Sequence, residues 1–178
     1  TRTMSEPTIE ERIHAAALEL FNERGYGAAT VDEIARKAGV GVGTLYRRWP
    51  DKPALANDLY TLVLDRATEY RERSRPGRSR KSRFEALVRS FIDFANDEPQ
   101  MLLFLVGQPH HAYLDATNRR RQDAKDGEVL ELVADLELTA TPELASCMTL
   151  GTIAHCVRAG VPIDGADVCR RLWRALAR

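Results

Sequence analysis

Thr30 to Lys52 reads TVDEIARKAGVGVGTLYRRWPDK, and the local chemistry of this stretch predicts two short helices with a tight turn between them. Thr30 followed by Glu33 is a capping box: the threonine hydroxyl accepts the backbone N–H of Glu33, and the glutamate reaches back. Val31, Ile34, Ala35 and Ala38 then recur at helical spacing and form one apolar face. Gly39 ends the helix, because glycine takes the left-handed conformation at no steric cost. Val40 fills the angle, and a second helix is predicted from about Gly41 to Arg48. A helix of that size fits a DNA major groove.

The motif resembles the amino-terminal DNA-binding domain of the TetR family of bacterial transcriptional regulators. The resemblance rests on Thr30, Ile34, Ala35, Ala38-Gly39-Val40, Gly43-Thr44-Leu45-Tyr46 and Lys52, and it is strongest over residues 8–60. It implies a homodimer on a palindromic operator, released by a small ligand in the carboxyl-terminal domain. Two positions depart from the family pattern. Gly41 stands where a serine or similar cap is usual, so the second helix lacks a side-chain cap. Trp49 replaces the commoner phenylalanine.

Charge agrees with a local reading surface rather than a basic protein. The chain has 178 residues, 26 of them basic and 26 acidic, so no global field draws it to nucleic acid. Between Arg36 and Lys52, however, five basic residues face one acid, Asp51. Phosphate neutralisation supplies most non-specific DNA affinity, and this is where such charge is needed. Hydrophobic residues make up 44%, enough to fill a core. Cys147, Cys156 and Cys169 show no C-x-x-C pair and no metal spacing, so reduced, buried thiols are expected. No apolar run approaches the length of a membrane span and no signal peptide is visible, which predicts a cytoplasmic protein.

Along the chain the pattern is all-α, with about nine helices. The first helix is capped by Thr8 and Glu11 and carries Ile9, Ile13, Ala16, Ala17, Leu20 and Phe21 on one stripe, ending at Gly25-Tyr26-Gly27. Asp51 caps a long fourth helix with Pro53 in its first turn, running to about Arg73. The segment Arg71–Arg83 holds seven basic residues and one acid around Pro76-Gly77 and reads as a solvated connector. Phe84, Leu87, Val88, Phe91, Ile92 and Ala95 mark a central helix, broken at Glu98-Pro99, before an apolar run from Met101 to Val106. The polar stretch from His110 to about Lys125 is expected to end in a turn at Asp126-Gly127, ahead of a short helix over Val129–Leu136; a continuous helix through Gly127 is the alternative. Thr141-Pro142 and Asp164 open the last two helices, to Ala159 and Arg178. The expected domains are 1–52 for DNA and 53–178 for ligand and dimer contacts.

Carried onto this chain, the family roles fall on Thr30, Val42, Gly43, Thr44, Tyr46, Arg47, Arg48 and Lys52. Val42 can offer a thymine methyl an apolar contact, Gly43 allows close backbone approach, and Thr44 can bond a base or a phosphate. Tyr46, Lys52 and Thr30 look like phosphate contacts. Arg47 is the better candidate for reading guanine, since the family position of Arg48 usually faces the backbone. Leu45 and Trp49 read as core, and Asp32 as a complement to the helix dipole. The small residues Ala145, Gly151, Ala154 and Ala159, with Val168, Leu172, Trp173 and Leu176, are candidates for the dimer interface, although their spacing equally suits an internal core. Leu62, Met101, Phe104, His110, Tyr113, Met148 and His155 are expected to line a pocket for a mostly apolar effector.

The chain carries no G-x-S-x-G, no H-E-x-x-H and no Walker loop, and the Gly39-x-Gly41-x-Gly43 run lies between helices rather than after a strand. Neither catalysis nor a cofactor or metal is expected. The remaining rival is a DNA binder of the same kind controlled by a protein partner, a reading the basic 71–83 segment favours.

Overall fold

A computed structural model describes residues 6–177; residues 1–5 of the expected DNA-binding domain, and Arg178 at the end of the last helix, lie outside the described residues. Among the described residues there are nine α-helices, one short 3-10 turn and no strand. The first four helices are α1 (Ile9–Ala28), α2 (Val31–Ala38), α3 (Val42–Arg48) and α4 (Lys52–Arg73). The predicted caps are in place. Thr8 and Thr30 each form both halves of a capping box, and Asp51 accepts the N–H of Ala54 at the start of α4. Gly39 takes φ +68°, and its N–H and that of Val40 return to Arg36 and Ala35, the double hydrogen bond of a Schellman turn. Gly25 at φ +80° breaks α1 where the glycines predict an end.

Thr30 does more than one job at its cap. Its hydroxyl accepts the N–H of Glu33 and lies 2.9 Å from that carboxylate, which also takes the Thr30 N–H. These bonds, with Arg24 beside them, hold the Glu33 carboxyl below the usual carboxylate range. Thr30→Ala is therefore expected to destabilise the fold by about 1 kcal/mol. A urea titration with unchanged slope and a lower midpoint is the reading that checks it.

The rest of the chain forms α5 (Arg80–Asp97), α6 (Pro99–Gly107), α7 (Ala116–Ala134), α8 (Pro142–Ala159) and α9 (Gly165–Leu176), with the 3-10 turn at His110–Ala112. Helix α5 is central, as its apolar face predicts, and packs on α4, α6, α8 and α9. Of the two readings at Asp126-Gly127 the continuous helix is the one present: α7 runs unbroken through Gly127. One interior glycine costs a helix only about 1 kcal/mol. Capping by Asp115 and packing on α4 and α8 oppose that cost.

The apolar residues of α9 turn inward. Cys169, Leu172 and Leu176 are buried, and Trp173 lies 5.4 Å from Phe84 of α5. Ala145 and Ala154 of α8 are buried too, whereas Gly151 and Ala159 are exposed, so the stripe of small residues is divided between two faces. The thiols also differ from expectation: Cys169 is buried, Cys156 half-buried and Cys147 exposed. All three are free.

The connector between α4 and α5 is largely neutralised within the chain. Arg71 pairs with Glu128, Arg73 with Glu69, Arg80 with Glu137, Lys81 with Glu85 and Arg83 with Asp135. Among the described residues no helix is long and apolar enough to cross a membrane.

Candidate nucleic-acid interface and cleft

Helix α3 has one buried anchor and an open outer face. Leu45 is fully buried, while Gly43, Tyr46, Arg47 and Arg48 are exposed and Val42 and Thr44 are half-buried. Tyr46 is 49% exposed, an unusual setting for an aromatic ring that packing does not require there. Gly41 caps α3 with no side-chain bond, as its identity dictates. The two arginines differ. Arg48 pairs with Glu10 of α1 at 3.0 Å. Arg47 lies 3.3 Å from the Thr44 hydroxyl and forms no ion pair with any described residue.

Three side chains pin the far end of α3. Trp49, expected in the core, is 4% exposed, and its indole N–H donates to Asp58 of α4 at 2.9 Å. The same carboxylate oxygen lies 3.1 Å from His14 Nε2 of α1, whose ring sits 5.3 Å from the indole. Glu10, His14 and Asp58 bring their ligand atoms within 4.8 Å of one another, a spacing a cation could use. Each is already engaged, Glu10 by Arg48 and the other two by each other and Trp49, so the cluster serves as a joint between α1, α3 and α4.

Lys52, expected as a phosphate clamp, is engaged within the chain. Its ammonium donates to the carbonyls of Tyr26 and Ala29 at 2.9 Å each and of Gly27 at 3.4 Å, and lies 4.4 Å above the Tyr26 ring. An ammonium has three N–H donors, and here all three are taken. Lys52 thus fastens α4 to the chain just before Thr30.

That junction also receives the segment after α6. Gln108 donates to the carbonyl of Phe21 at 2.7 Å and accepts from the Tyr26 N–H at 3.3 Å. Tyr113 stacks on Tyr26 at 4.3 Å. The Tyr113 hydroxyl is 2.5 Å from His110 Nδ1, and His110 Nε2 is 3.0 Å from the Leu105 carbonyl. A carbonyl can only accept, so Nε2 carries the proton and Nδ1 accepts from the phenol. Burial pushes the His110 pKa down and that of Tyr113 up, which keeps both neutral. The His110 ring meets Tyr60 and Phe104 edge-on at 4.9 and 5.1 Å.

The seven residues expected around a ligand are therefore scattered. Phe104, His110 and Tyr113 are closed into this aromatic column, and all three are buried. Leu62 and Met101 lie on a different groove, beside α1. Met148 and His155 are exposed on the outer side of α8. Spacing along one helix places residues on a common face but does not say whether that face looks inward.

A cleft of about 550 Å³ opens instead between α4, α7 and α8, with α5 and α6 behind it. Its walls are Tyr60, Leu64, Ala67 and Arg71 of α4, Asp126, Val129 and Leu130 of α7, and Leu150, Ala154 and Arg158 of α8, backed by Phe91, Leu105 and Val106. The i, i+4, i+7, i+11 series Tyr60, Leu64, Ala67, Arg71 is the signal in the sequence: it runs from buried Tyr60 and Leu64 to half-buried Ala67 and Arg71 along one side of α4.

Residues 13–59 match the family model described as "Bacterial regulatory proteins, tetR family". The transcriptional activator FasR of Mycolicibacterium smegmatis is 37% identical over 90 residues, which cover 48% of this chain and 39% of that protein. The match therefore spans about two fifths of that relative's length. A TetR-like regulator from Rhodococcus sp. RHA1 superposes with a TM-score of 0.74 at 23% identity, covering 97% of each chain. A TetR-family regulator from Marinobacter aquaeolei VT8 gives 0.75 at 18% identity over 95% of each. At these identities the two structures speak for the fold.

Proposed function

We propose, for a chain that belongs to the TetR family of bacterial transcriptional regulators, a repressor that binds a palindromic operator as a homodimer and is released when a small molecule enters the α4–α7–α8 cleft. Residues 1–52 form the DNA-reading unit in this proposal and residues 53–178 the effector and dimer unit. The observation that carries it is the outer face of α3, where Tyr46, Arg47 and Arg48 are exposed beside half-buried Val42 and Thr44 while Leu45 and the Trp49–Asp58 joint hold the helix from behind. A face held rigidly from one side and left basic and aromatic on the other suits a major groove.

Within this reading Val42, Gly43, Thr44 and Arg47 meet base edges, and Tyr46, Arg48 and the Thr30 end of α2 meet phosphates. Lys52 acts by positioning Thr30. Dimer contacts fall on the outer side of α8, where Leu144 and Met148 are 53% and 40% exposed in the single chain and Gly151 permits close approach. The α9 residues offered by periodicity are consumed against α5, so α9 contributes its polar side.

Release follows from linkage. An effector that favours one spacing of the two reading heads weakens DNA binding, and DNA weakens the effector by the same factor. The cleft has a physical route to the heads: Tyr60 lines it, and Tyr60, His110, Tyr113, Tyr26 and Lys52 touch in sequence. Control by a protein partner is less well supported, since five of the seven basic residues in the 71–83 connector are paired within the chain.

Selection of genomic fragments with purified protein, followed by binding to the recovered site at several salt concentrations, tests the reading. A palindromic site bound by a dimer, with affinity falling steeply as salt rises, is expected. Binding without sequence preference would defeat it. FasR is named an activator, so a reporter fused to the recovered site decides the sign: repression predicts higher output when this gene is deleted.

A further inference from the structure

The indole N–H of Trp49, a donor that phenylalanine lacks, holds Asp58 Oδ2 at 2.9 Å and turns that carboxylate towards α1. Two side chains of α1 meet it there. Glu10 and His14 are four residues apart, hence on one face of the helix. His14 is 7% exposed, with Nε2 3.1 Å from the same Asp58 oxygen. The ligand atoms of Glu10, His14 and Asp58 all lie within 4.8 Å of one another, and among the described residues this is the one group of three with that property. No spacing within a single segment announces it, because Asp58 comes from α4.

The contacts that engage these atoms are of kinds that a cation takes over. Glu10 is held by Arg48 through a pair open to solvent, with side chains 43% and 62% exposed. Pairs of that kind contribute at most about 1 kcal/mol. Between His14 and Asp58 lies a single proton, donated by Nε2 to an oxygen that can only accept. With a neutral imidazole, the cluster sets two carboxylates against one arginine.

We propose that Glu10, His14 and Asp58 form a zinc site, with water as the fourth ligand. Tetrahedral zinc with bonds of about 2.0–2.2 Å holds its ligand atoms about 3.3–3.6 Å apart. His14 and Asp58 already stand close to that separation, and the Glu10 side chain on the open rim swings in to complete the set. The imidazole selects zinc over magnesium or calcium, which take oxygen ligands. His14 binds as the tautomer with its proton on Nδ1, and the indole N–H of Trp49 stays on Asp58 as the outer bond that orients a ligating carboxylate. The cation enters from solvent between Glu10 and Asp58, whose side chains are 43% and 44% exposed. Once bound, it ties α1 to α4 behind α3 and displaces Arg48 from Glu10, leaving that guanidinium for phosphate.

Calorimetric titration of the tag-free full-chain protein with zinc chloride, without DNA, tests the site apart from the DNA reading. One zinc per chain is expected. Outer-shell partners of a metal contribute about 10- to 100-fold in affinity, so Trp49→Phe should weaken zinc by that factor and loss of a ligand, Glu10→Gln or His14→Gln, by as much or more. Arg48→Ala removes the competing cation and should tighten zinc by up to about fivefold. Cys147→Ser, which removes the exposed thiol, should leave the affinity unchanged. Cobalt(II) in place of zinc should show the visible bands of a four-coordinate nitrogen–oxygen site and no thiolate charge-transfer band. Glu10 lies on the open rim, so Glu10→Gln keeps the test decisive even where His14→Gln does not fold. Failure of zinc to bind, zinc binding unaltered by Glu10→Gln, or binding abolished by Cys147→Ser would each overturn the proposal.

Discussion

A Lys52→Met protein is expected to melt roughly 5–15 °C below wild type and to bind its operator about tenfold more weakly or worse, with the salt dependence of that binding unchanged. Methionine keeps the apolar stem and removes the ammonium. What is lost is three bonds to the carbonyls of Tyr26, Gly27 and Ala29 and the contact over the Tyr26 ring. Hydrogen bonds to charged groups contribute about 1.5–3 kcal/mol each, and partial access of water to the freed carbonyls reduces the sum to about 2–4 kcal/mol. For a chain of this size each kcal/mol moves the melting point by about 2–4 °C. The loss of DNA binding follows from geometry. Ala29 directly precedes Thr30, so loosening it frees the start of α2 to shift against α4. The salt slope separates this account from a phosphate clamp. A lysine that neutralises a phosphate removes about 0.9 from the slope when it is deleted, whereas a positioning lysine leaves it alone. A flattened slope would return Lys52 to the DNA backbone.

The first four helices were legible in the sequence because their boundaries are written locally. Thr8 with Glu11, Thr30 with Glu33, Gly39 and Asp51 each act within a few residues of themselves, and no tertiary contact is needed to read them. Leu45 and Trp49 could be assigned to the core because a helix of seven residues has room for little more than one buried side. The later helices depend on one another: their number and order were legible, but which of their faces turn inward was not. Helix α7 is polar along most of its length, with Asn118 and Val133 buried, so its sequence resembles a loop. Its place is set by partners remote in sequence, such as the side-chain amide of Asn118 donating to Asn57 of α4. The aromatic residues Phe104, His110 and Tyr113 suggested a pocket by their chemistry, but the same chemistry closes a core when the rings satisfy one another. His110 and Tyr113 do so through the bond between Nδ1 and the phenol. Lys52 shows the same limit: sequence places a lysine beside a DNA-binding motif but does not show that, in the chain without DNA, its three donors face carbonyls.

Arg47→Ala should cost about 1–3 kcal/mol per half-site, roughly a 5- to 150-fold loss, and should relax the base preference at one position of each half-site. Arg48→Ala should cost less, act equally on all sequences, and flatten the salt slope by about one contact per protomer. The two side chains are adjacent, so the difference lies in their surroundings. Arg47 is exposed, has no ion pair with any described residue, and rests against Thr44 one turn towards the start of α3, the end that enters the groove. Its guanidinium is free to offer the two parallel donors that match the O6 and N7 of guanine. Arg48 must first leave Glu10. That pair is open to solvent, with side chains 62% and 43% exposed, so breaking it costs at most about 1 kcal/mol and phosphate can compete for the arginine. The same exchange makes a further test available through Glu10, which repels phosphate when it is left alone. Glu10→Gln is expected to strengthen binding to operator and random DNA by the same few-fold factor, more at low salt than at high. Measuring the three variants on a systematically mutated operator decides the assignment. Loss of base preference with Arg48→Ala rather than Arg47→Ala would mean that α3 enters the groove rotated from the pose inferred from its exposed face.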